Sequence, residues 1–309
     1  MDKKAAVERL RGIHTASVTP FVKEGVPDLQ GIRNLVDYYA ESGLQGAFFP
    51  SSTGESFSMP RDTRVHVVKT AAEHVNGRIL ILANSTASNW PEAVDMCKRM
   101  ADVGADYAVC MPPTFLEIAQ EEIKRFFFQI ADESPIPVII YTHLVRMRNK
   151  VQIPILLEMS KHENIAGIKD THNDAARMMR LYAAGLQKDF AILCGGDAMA
   201  GYSALLDMDM LNALSALKPR LFINLQAAGR TRDLARVAAL QEEVWKLMGI
   251  FSAAHDGLDS NSVIASAIKG ALHLQGLCEC ASPQMGYDLT EQDFVNIRKV
   301  MESVKDDIS

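Results

Sequence analysis

Short apolar runs alternate with longer amphipathic stretches along most of this chain, and that alternation restricts the fold more than any single motif. Ile13–Thr19 reads as a strand, and Leu29–Ser42 as a helix with Ile32, Leu35, Val36 and Tyr39 on one face. Further apolar runs follow at Gly46–Pro50, Arg78–Ala83, Tyr107–Met111, Pro137–Tyr141, Ile165–Lys169 and Phe190–Cys194. Helical periodicity fills the intervals at Arg61–Val75, Pro91–Val103, Gln120–Glu133, Ile153–Lys161, Asp174–Gly185 and Met199–Leu206. Units of this kind, about 30 residues each, build a parallel sheet. Gly43 and Gly104 each stand where a helix must end in a left-handed residue before the next strand. An eighth strand falls within Met208–Leu217, before a helix from Pro219. Eight units predict a (β/α)8 TIM barrel, here 1–232, with 233–309 as a C-terminal helical segment packed on it. In that tail Leu234, Val237 and Val244, then Val263 and Ala267, then Asp293–Val304, keep helical spacing. A doubly wound open sheet is the competing arrangement, but no GxGxxG or Walker loop follows the first strand.

Composition removes whole classes of function. The chain has 309 residues, 48% hydrophobic and 23% charged, as an ordinary globular protein does. Its net charge of −6 leaves no electrostatic footprint for nucleic acid or an anionic membrane surface. No apolar run approaches the roughly 18–20 residues of a membrane span. Met1–Arg11 is charged and lacks the apolar centre of a signal peptide. The five cysteines include Cys278 and Cys280 as C-E-C but no CxxC, and are expected to be small reduced packing residues in a cytoplasmic protein. Eight histidines without ligand spacing argue against a metal site, and His14 reads as a packed core residue. Met208, Met210, Met178 and Met179 read as core filling, while the rings of Phe126–Phe128 cannot all face one side of a helix.

Barrel chemistry sits at the C-terminal ends of the strands. The second strand ends Ser51-Ser52-Thr53-Gly54-Glu55, hydroxyls and open amides that can cradle a carboxylate. The fifth ends in Tyr141, and the sixth carries Lys169 at the close of an apolar run. Taken singly, each has an ordinary structural explanation: a Ser/Thr turn, a rim tyrosine, a lysine that snorkels to the surface. Taken together they offer a carboxylate cradle, a phenol and an amine. Burial moves a lysine toward neutrality and frees it to attack ketones. A 2-oxo acid would then form a Schiff base with the amine while the phenol relays protons.

The order of these motifs resembles that of the pyruvate-dependent Schiff-base aldolases and lyases, the dihydrodipicolinate synthase / N-acetylneuraminate lyase family. The resemblance runs from Gly12 to about Ala271. It rests on Thr19-Pro20-Phe21, then Ser52-Thr53-Gly54-Glu55 for G-[ST]-T-G-E, and then Tyr141. Gly167-Ile168-Lys169-Asp170 stands for G-I-K-[DE], and Gly195-Gly196-Asp197 for the later G-x-D. The resemblance implies a (β/α)8 barrel with a C-terminal three-helix segment, assembled as a homotetramer that is a dimer of dimers. It implies that Lys169 forms the Schiff base with pyruvate, that Tyr141 is the general acid/base, and that Ser52 and Thr53 hold the pyruvate carboxylate. Arg146, Gly195 and Leu211 are further substrate-binding candidates, and no metal or organic cofactor is implied. The partners would be a 2-oxo acid and an aldehyde.

Four departures from the family pattern carry their own expectations. Pro112-Pro113-Thr114-Phe115 replaces an aromatic pair that ends in tyrosine, so Phe115 lacks the hydroxyl of a proton relay reaching a neighbouring subunit. Tyr141-Thr142-His143-Leu144 loses a proline, which predicts a reshaped substrate channel; His143 and His172 stand near strand ends, within reach of a polar substrate. Leu206–Asn212 has no glycine where the eighth strand normally has two, which predicts a narrower pocket. Ser51 replaces a glycine and is expected to strain if that backbone angle is unusual. The Gly167–Thr171 wording and Phe48-Phe49 favour a 2-keto-3-deoxy-sugar-acid aldolase, with dihydrodipicolinate synthase as the enzymatic alternative. A catalytically impaired member that binds oxo acids or only assembles is the rival from another class.

Overall fold

Residues 2–255, 260–279 and 288–308 are described by the structure, a computed structural model; Cys280 of the C-E-C pair lies outside them. Eight parallel strands close into a barrel: β1 (Ile13–Ala16), β2 (Gly46–Phe49), β3 (Leu80–Asn84), β4 (Tyr107–Cys110), β5 (Val138–His143), β6 (Ile165–Thr171), β7 (Ala191–Cys194) and β8 (Asp209–Asn212). Each pairs with the next, and β1 closes the ring against β8 through Ile13↔Met210 and Thr15↔Asn212. Alternation along the strands sorts the side chains into two layers. Phe48, Leu82, Val109, Ile139 and Leu193 fill the barrel interior. Phe49, Ile81, Ala83 and Ile140 face outward and pack under the helices.

The helices are α1 (Lys3–Arg9), α2 (Leu29–Glu41), α3 (Arg61–Val75), α4 (Trp90–Asp102), α5 (Gln120–Glu133), α6 (Ile153–Met159), α7 (Ala175–Ala183), α8 (Ala200–Leu205) and α9 (Pro219–Arg230). Three more belong to the tail: α10 (Leu234–Leu247), α11 (Asn261–Leu274) and α12 (Glu291–Ser303). The logic of α2 is typical. The Asp28 side chain accepts the Gly31 N–H at 2.8 Å to cap its start, and Ile32, Leu35, Val36 and Tyr39 are wholly buried. Each such side chain contributes about 1.5–3 kcal/mol of burial. Gly43, at φ +87°, then turns the chain into β2.

Several boundaries differ from the sequence reading, for identifiable reasons. β5 and β6 run two residues further than their apolar runs, pairing Tyr141↔Lys169, Thr142↔Asp170 and His143↔Thr171. Polar residues are tolerated there because Asp170 is held by the Arg177 guanidinium at 2.7 Å and accepts the His172 N–H. β8 is only four residues long, and a 3-10 turn, Leu214–Ala216, replaces the rest of the expected run. Met179 is 43% exposed, not core as its pairing with buried Met178 suggested, because adjacent helix positions diverge by about 100°. Residues 3–9 form α1, with no signal in their periodicity; Ala6, Val7 and Leu10 plug the N-terminal end of the barrel, and the Tyr107 hydroxyl donates to Ala6 O at 2.7 Å. Among the described residues no helix is long and apolar enough to cross a membrane.

Candidate active site

At the C-terminal end of the barrel, β6 delivers Lys169 and β5 delivers Tyr141 to the same level. Lys169 is 3% exposed, and its Nζ lies 4.6 Å from the Tyr141 ring centre and 5.2 Å from that of Phe48. The two rings meet edge to face, 6.5 Å apart, so the amine rests on an aromatic floor. No hydrogen bond or ion pair to a described residue holds the ammonium. Burial therefore depresses its pKa from 10.5 to about 7, opposed by the charge of Asp197. Burial also raises the Asp197 carboxyl to about 6, partly offset by the Leu214 N–H at 3.0 Å. Tyr141 is raised by its own burial, against the Ser52 and Thr171 hydroxyls and Arg146. Its Oη is 3.2 Å from Ser52 Oγ.

The hydroxyl turn after β2 is stitched from within. Ser51 Oγ donates to Ser17 O at 2.8 Å and accepts the Gly54 N–H at 2.9 Å. The left-handed residue of this turn is Glu55, at φ +60°, and Ser51 is not left-handed, so Ser51 is unstrained and its side chain braces the loop. A Cβ on Gly54 would lie 2.7 Å from Ser17 O, which requires glycine there. Glu55 is locked from the far side by Lys269 of α11, at 2.7 Å with both side chains buried. Ser52 and Thr53 are left facing the same cavity as Lys169.

That cavity, about 350 Å³, brings together six of the seven candidate site residues read from the sequence, Lys169, Tyr141, Ser52, Thr53, Gly195 and Arg146, with His143 beside them. Arg146 stands exposed at its mouth, its guanidinium donating to Asn261 Oδ1. Leu211 does not line the cavity. It is wholly buried one layer down among the interior residues, and Ala213 forms the wall after β8. The glycine-free β8 therefore leaves the cavity open, because its bulky residues point into the interior cluster or outward. Gly195 has no spare room: a Cβ there would sit inside the van der Waals envelope of Thr171 Oγ1 and 3.1 Å from Lys169 Cε. Phe115 is 86% exposed on the loop after β4. His172 hydrogen-bonds Thr142 at 3.1 Å, and His14 is wholly buried and pushed to about 4 by burial.

An adjoining chamber of about 450 Å³ shares Ser52, Tyr141, His143, Arg146 and Asn261 with the first. A wider cleft of about 670 Å³ at the opposite end of the barrel is bounded by Lys3, Lys161, Glu163 and Asp189 and holds no buried nucleophile. Among the described residues no group of three or more His, Cys, Asp or Glu is placed to hold a metal ion. Sequence reasoning missed Asn261, whose Nδ2 donates to Ser52 O at 2.9 Å. It comes from the tail, and no local pattern marks it. Asp197, though part of the quoted G-x-D, was given no role; its burial beside Lys169 supplies one.

A buried amine, a phenol and a hydroxyl turn at the mouth of a closed (β/α)8 barrel define an enzyme of the lyase class. The chain belongs to the dihydrodipicolinate synthetase family, whose sequence profile matches residues 9–296. It is 27% identical over 293 residues to the 4-hydroxy-tetrahydrodipicolinate synthase of Methanoculleus marisnigri, covering 94% of this chain and 98% of that one. The solved dihydrodipicolinate synthase of Bacteroides thetaiotaomicron shares the fold, with a TM-score of 0.88 at 24% identity over 96% of this chain and 99% of that one. The chloride-inhibited dihydrodipicolinate synthase of Acinetobacter baumannii, solved in complex with pyruvate, superposes with a TM-score of 0.85 at 26% identity, covering 95% and 98%.

Proposed function

We propose that this enzyme is a pyruvate-dependent aldolase or lyase that makes or breaks a carbon–carbon bond through an imine on Lys169. The observation that carries this reading is the Lys169 amine, 3% exposed on the cavity floor over Tyr141 with no hydrogen-bond or ion-pair partner among the described residues, where burial lowers its pKa to about 7. About half of it is neutral at pH 7, against roughly one in 2,500 for an ordinary lysine. The neutral amine attacks C2 of pyruvate, and the C2 oxygen leaves as water with protons relayed by Tyr141. Ser52 and Thr53 hold the carboxylate through hydroxyl and backbone N–H. The iminium then draws electrons from a C3–H bond, the Tyr141 phenolate left by loss of water takes that proton, and an enamine results. Its C3 attacks the aldehyde carbon, the aldehyde oxygen takes a proton from Tyr141, and water hydrolyses the imine to free product and amine. Cleavage is the same sequence reversed.

The aldehyde side is the finer part of the proposal. A 2-keto-3-deoxy sugar acid is favoured by the wording around Lys169 and by Phe115, which brings no hydroxyl to a relay. A 4-hydroxy-tetrahydrodipicolinate synthase activity is the second reading, supported by Arg146 at the mouth, suited to a second carboxylate, and by the names of the relatives. A cytoplasmic tetramer, a dimer of dimers, belongs to the same reading. Exposed Phe57, Phe115 and Val145 around the mouth support burial against a second copy. Borohydride reduction with millimolar pyruvate, followed by peptide mass spectrometry, tests the chemistry: an adduct on Lys169 is expected, and its absence overturns the imine. Turnover of hydroxylated aldehydes against aspartate semialdehyde assigns the acceptor.

A further inference from the structure

We propose that His143 is a specificity-determining residue, its Nε2–H donating to a hydroxyl on the aldehyde that joins or leaves the acid held on Lys169. The inference rests on the imine reading above and extends it to the second substrate. β5 alternates, so His143 faces the same side as Tyr141, two residues nearer the mouth and in register with Thr171. Two residues advance about 6.6 Å along a strand. That step lies beyond the bond being made, over the carbons the aldehyde contributes. His143 lines the inner cavity and the outer chamber alike.

The ring's tautomer is fixed by its own turn. His143 Nδ1 accepts the N–H of Val145 at 3.2 Å and of Arg146 at 3.3 Å, so the proton resides on Nε2. Burial, reinforced by the charges of Arg146, Lys169 and His172, holds the ring near pKa 4 and therefore neutral. No described residue accepts from Nε2, which leaves the donor available inside a half-buried site. Thr171, in register with His143, has its Oγ1 buried with no hydrogen-bond partner within bonding geometry among the described residues. A hydroxylated aldehyde pairs with both groups, whereas an alkyl aldehyde displaces water from the half-buried Nε2–H and leaves Thr171 Oγ1 unpaired, and polar groups left unpaired discriminate strongly.

Two substitutions separate the donor from the turn. His143→Asn keeps an acceptor for the Val145 and Arg146 amides and removes the ring donor; His143→Gln keeps a donor at similar reach. The assay is the ratio of kcat/KM for glyceraldehyde over propanal, each with pyruvate, alongside borohydride trapping. His143→Asn is expected to lower that ratio about tenfold and His143→Gln to restore most of it, with pyruvate still trapped in both. A ratio unchanged in His143→Asn, or a natural enzyme that prefers propanal, overturns the proposal. Failure to trap pyruvate in the natural enzyme overturns the imine reading instead. If His143→Asn alone fails to trap, its turn has collapsed, and His143→Gln carries the comparison: a ratio about tenfold below that of the natural enzyme then refutes the role.

Discussion

Replacing Lys169 by methionine should make this protein more stable as it abolishes imine formation. The folded amine has a pKa of about 7 and the unfolded one about 10.5. Between those values the unfolded chain binds a proton that the folded chain refuses, so stability falls as pH drops from about 10 to 7 and is level below that. Integrated over this window, burial of Lys169 costs about 4 kcal/mol at pH 7 and about 1 kcal/mol at pH 10. Methionine removes the titration and fills similar volume on the aromatic floor of Phe48 and Tyr141. For a chain of this size the difference corresponds to a rise in Tm of roughly 4–8 °C at pH 7. Thermal unfolding of both proteins between pH 6.5 and 10 reads it. The window lies above the Asp197 transition near 6, whose contribution has the opposite sign. Equal Tm values at pH 7, or a difference that does not shrink toward pH 10, would refute the claim that Lys169 is held neutral by desolvation.

Tyr141→Phe removes the hydroxyl 3.2 Å from Ser52 Oγ but keeps the ring under the amine. Turnover should fall by about 10²–10⁴ while borohydride still traps pyruvate, and unchanged turnover would remove Tyr141 from proton transfer. Gly195→Ala drives a methyl into Thr171 and Lys169; single-turnover trapping should slow at least tenfold with little change in Tm, since the clash is at the cavity wall. Lys269→Met removes the ammonium 2.7 Å from buried Glu55, and breaking such a pair costs about 3–5 kcal/mol. Tm should drop by roughly 5–8 °C, and the double variant Glu55→Gln with Lys269→Met should recover much of it.

The barrel was legible because eight βα units each repeat the same local contrast, period two against period 3.6, and closure follows from their number. The strand ends carrying Ser52, Tyr141 and Lys169 were legible because polar groups at the end of an apolar run conflict with local burial preference. What was not legible depends on contacts between distant parts. Asn261 and Lys269 lie more than 200 residues from Ser52 and Glu55, which they hold. α1 is too short to show a period, and its role as a plug exists only once the barrel has an open end. Leu211 was a candidate through the family resemblance, not through a signal of its own, and it lies in the interior layer. Along a strand the same face recurs every second residue, so the two-residue step from Leu211 to Ala213 separates the interior layer from the cavity wall.

The lock between Glu55 and Lys269 also has a consequence in time. A chain emerging from the ribosome exposes the hydroxyl turn early, yet the lysine that anchors it and the asparagine that braces Ser52 follow more than 200 residues later. A nascent barrel can close its eight strands before that, with Lys169 already in place on β6. The hydroxyl turn is braced from outside only when α11 docks, so on the proposed reading a barrel that still lacks α11 holds its oxo acid less firmly.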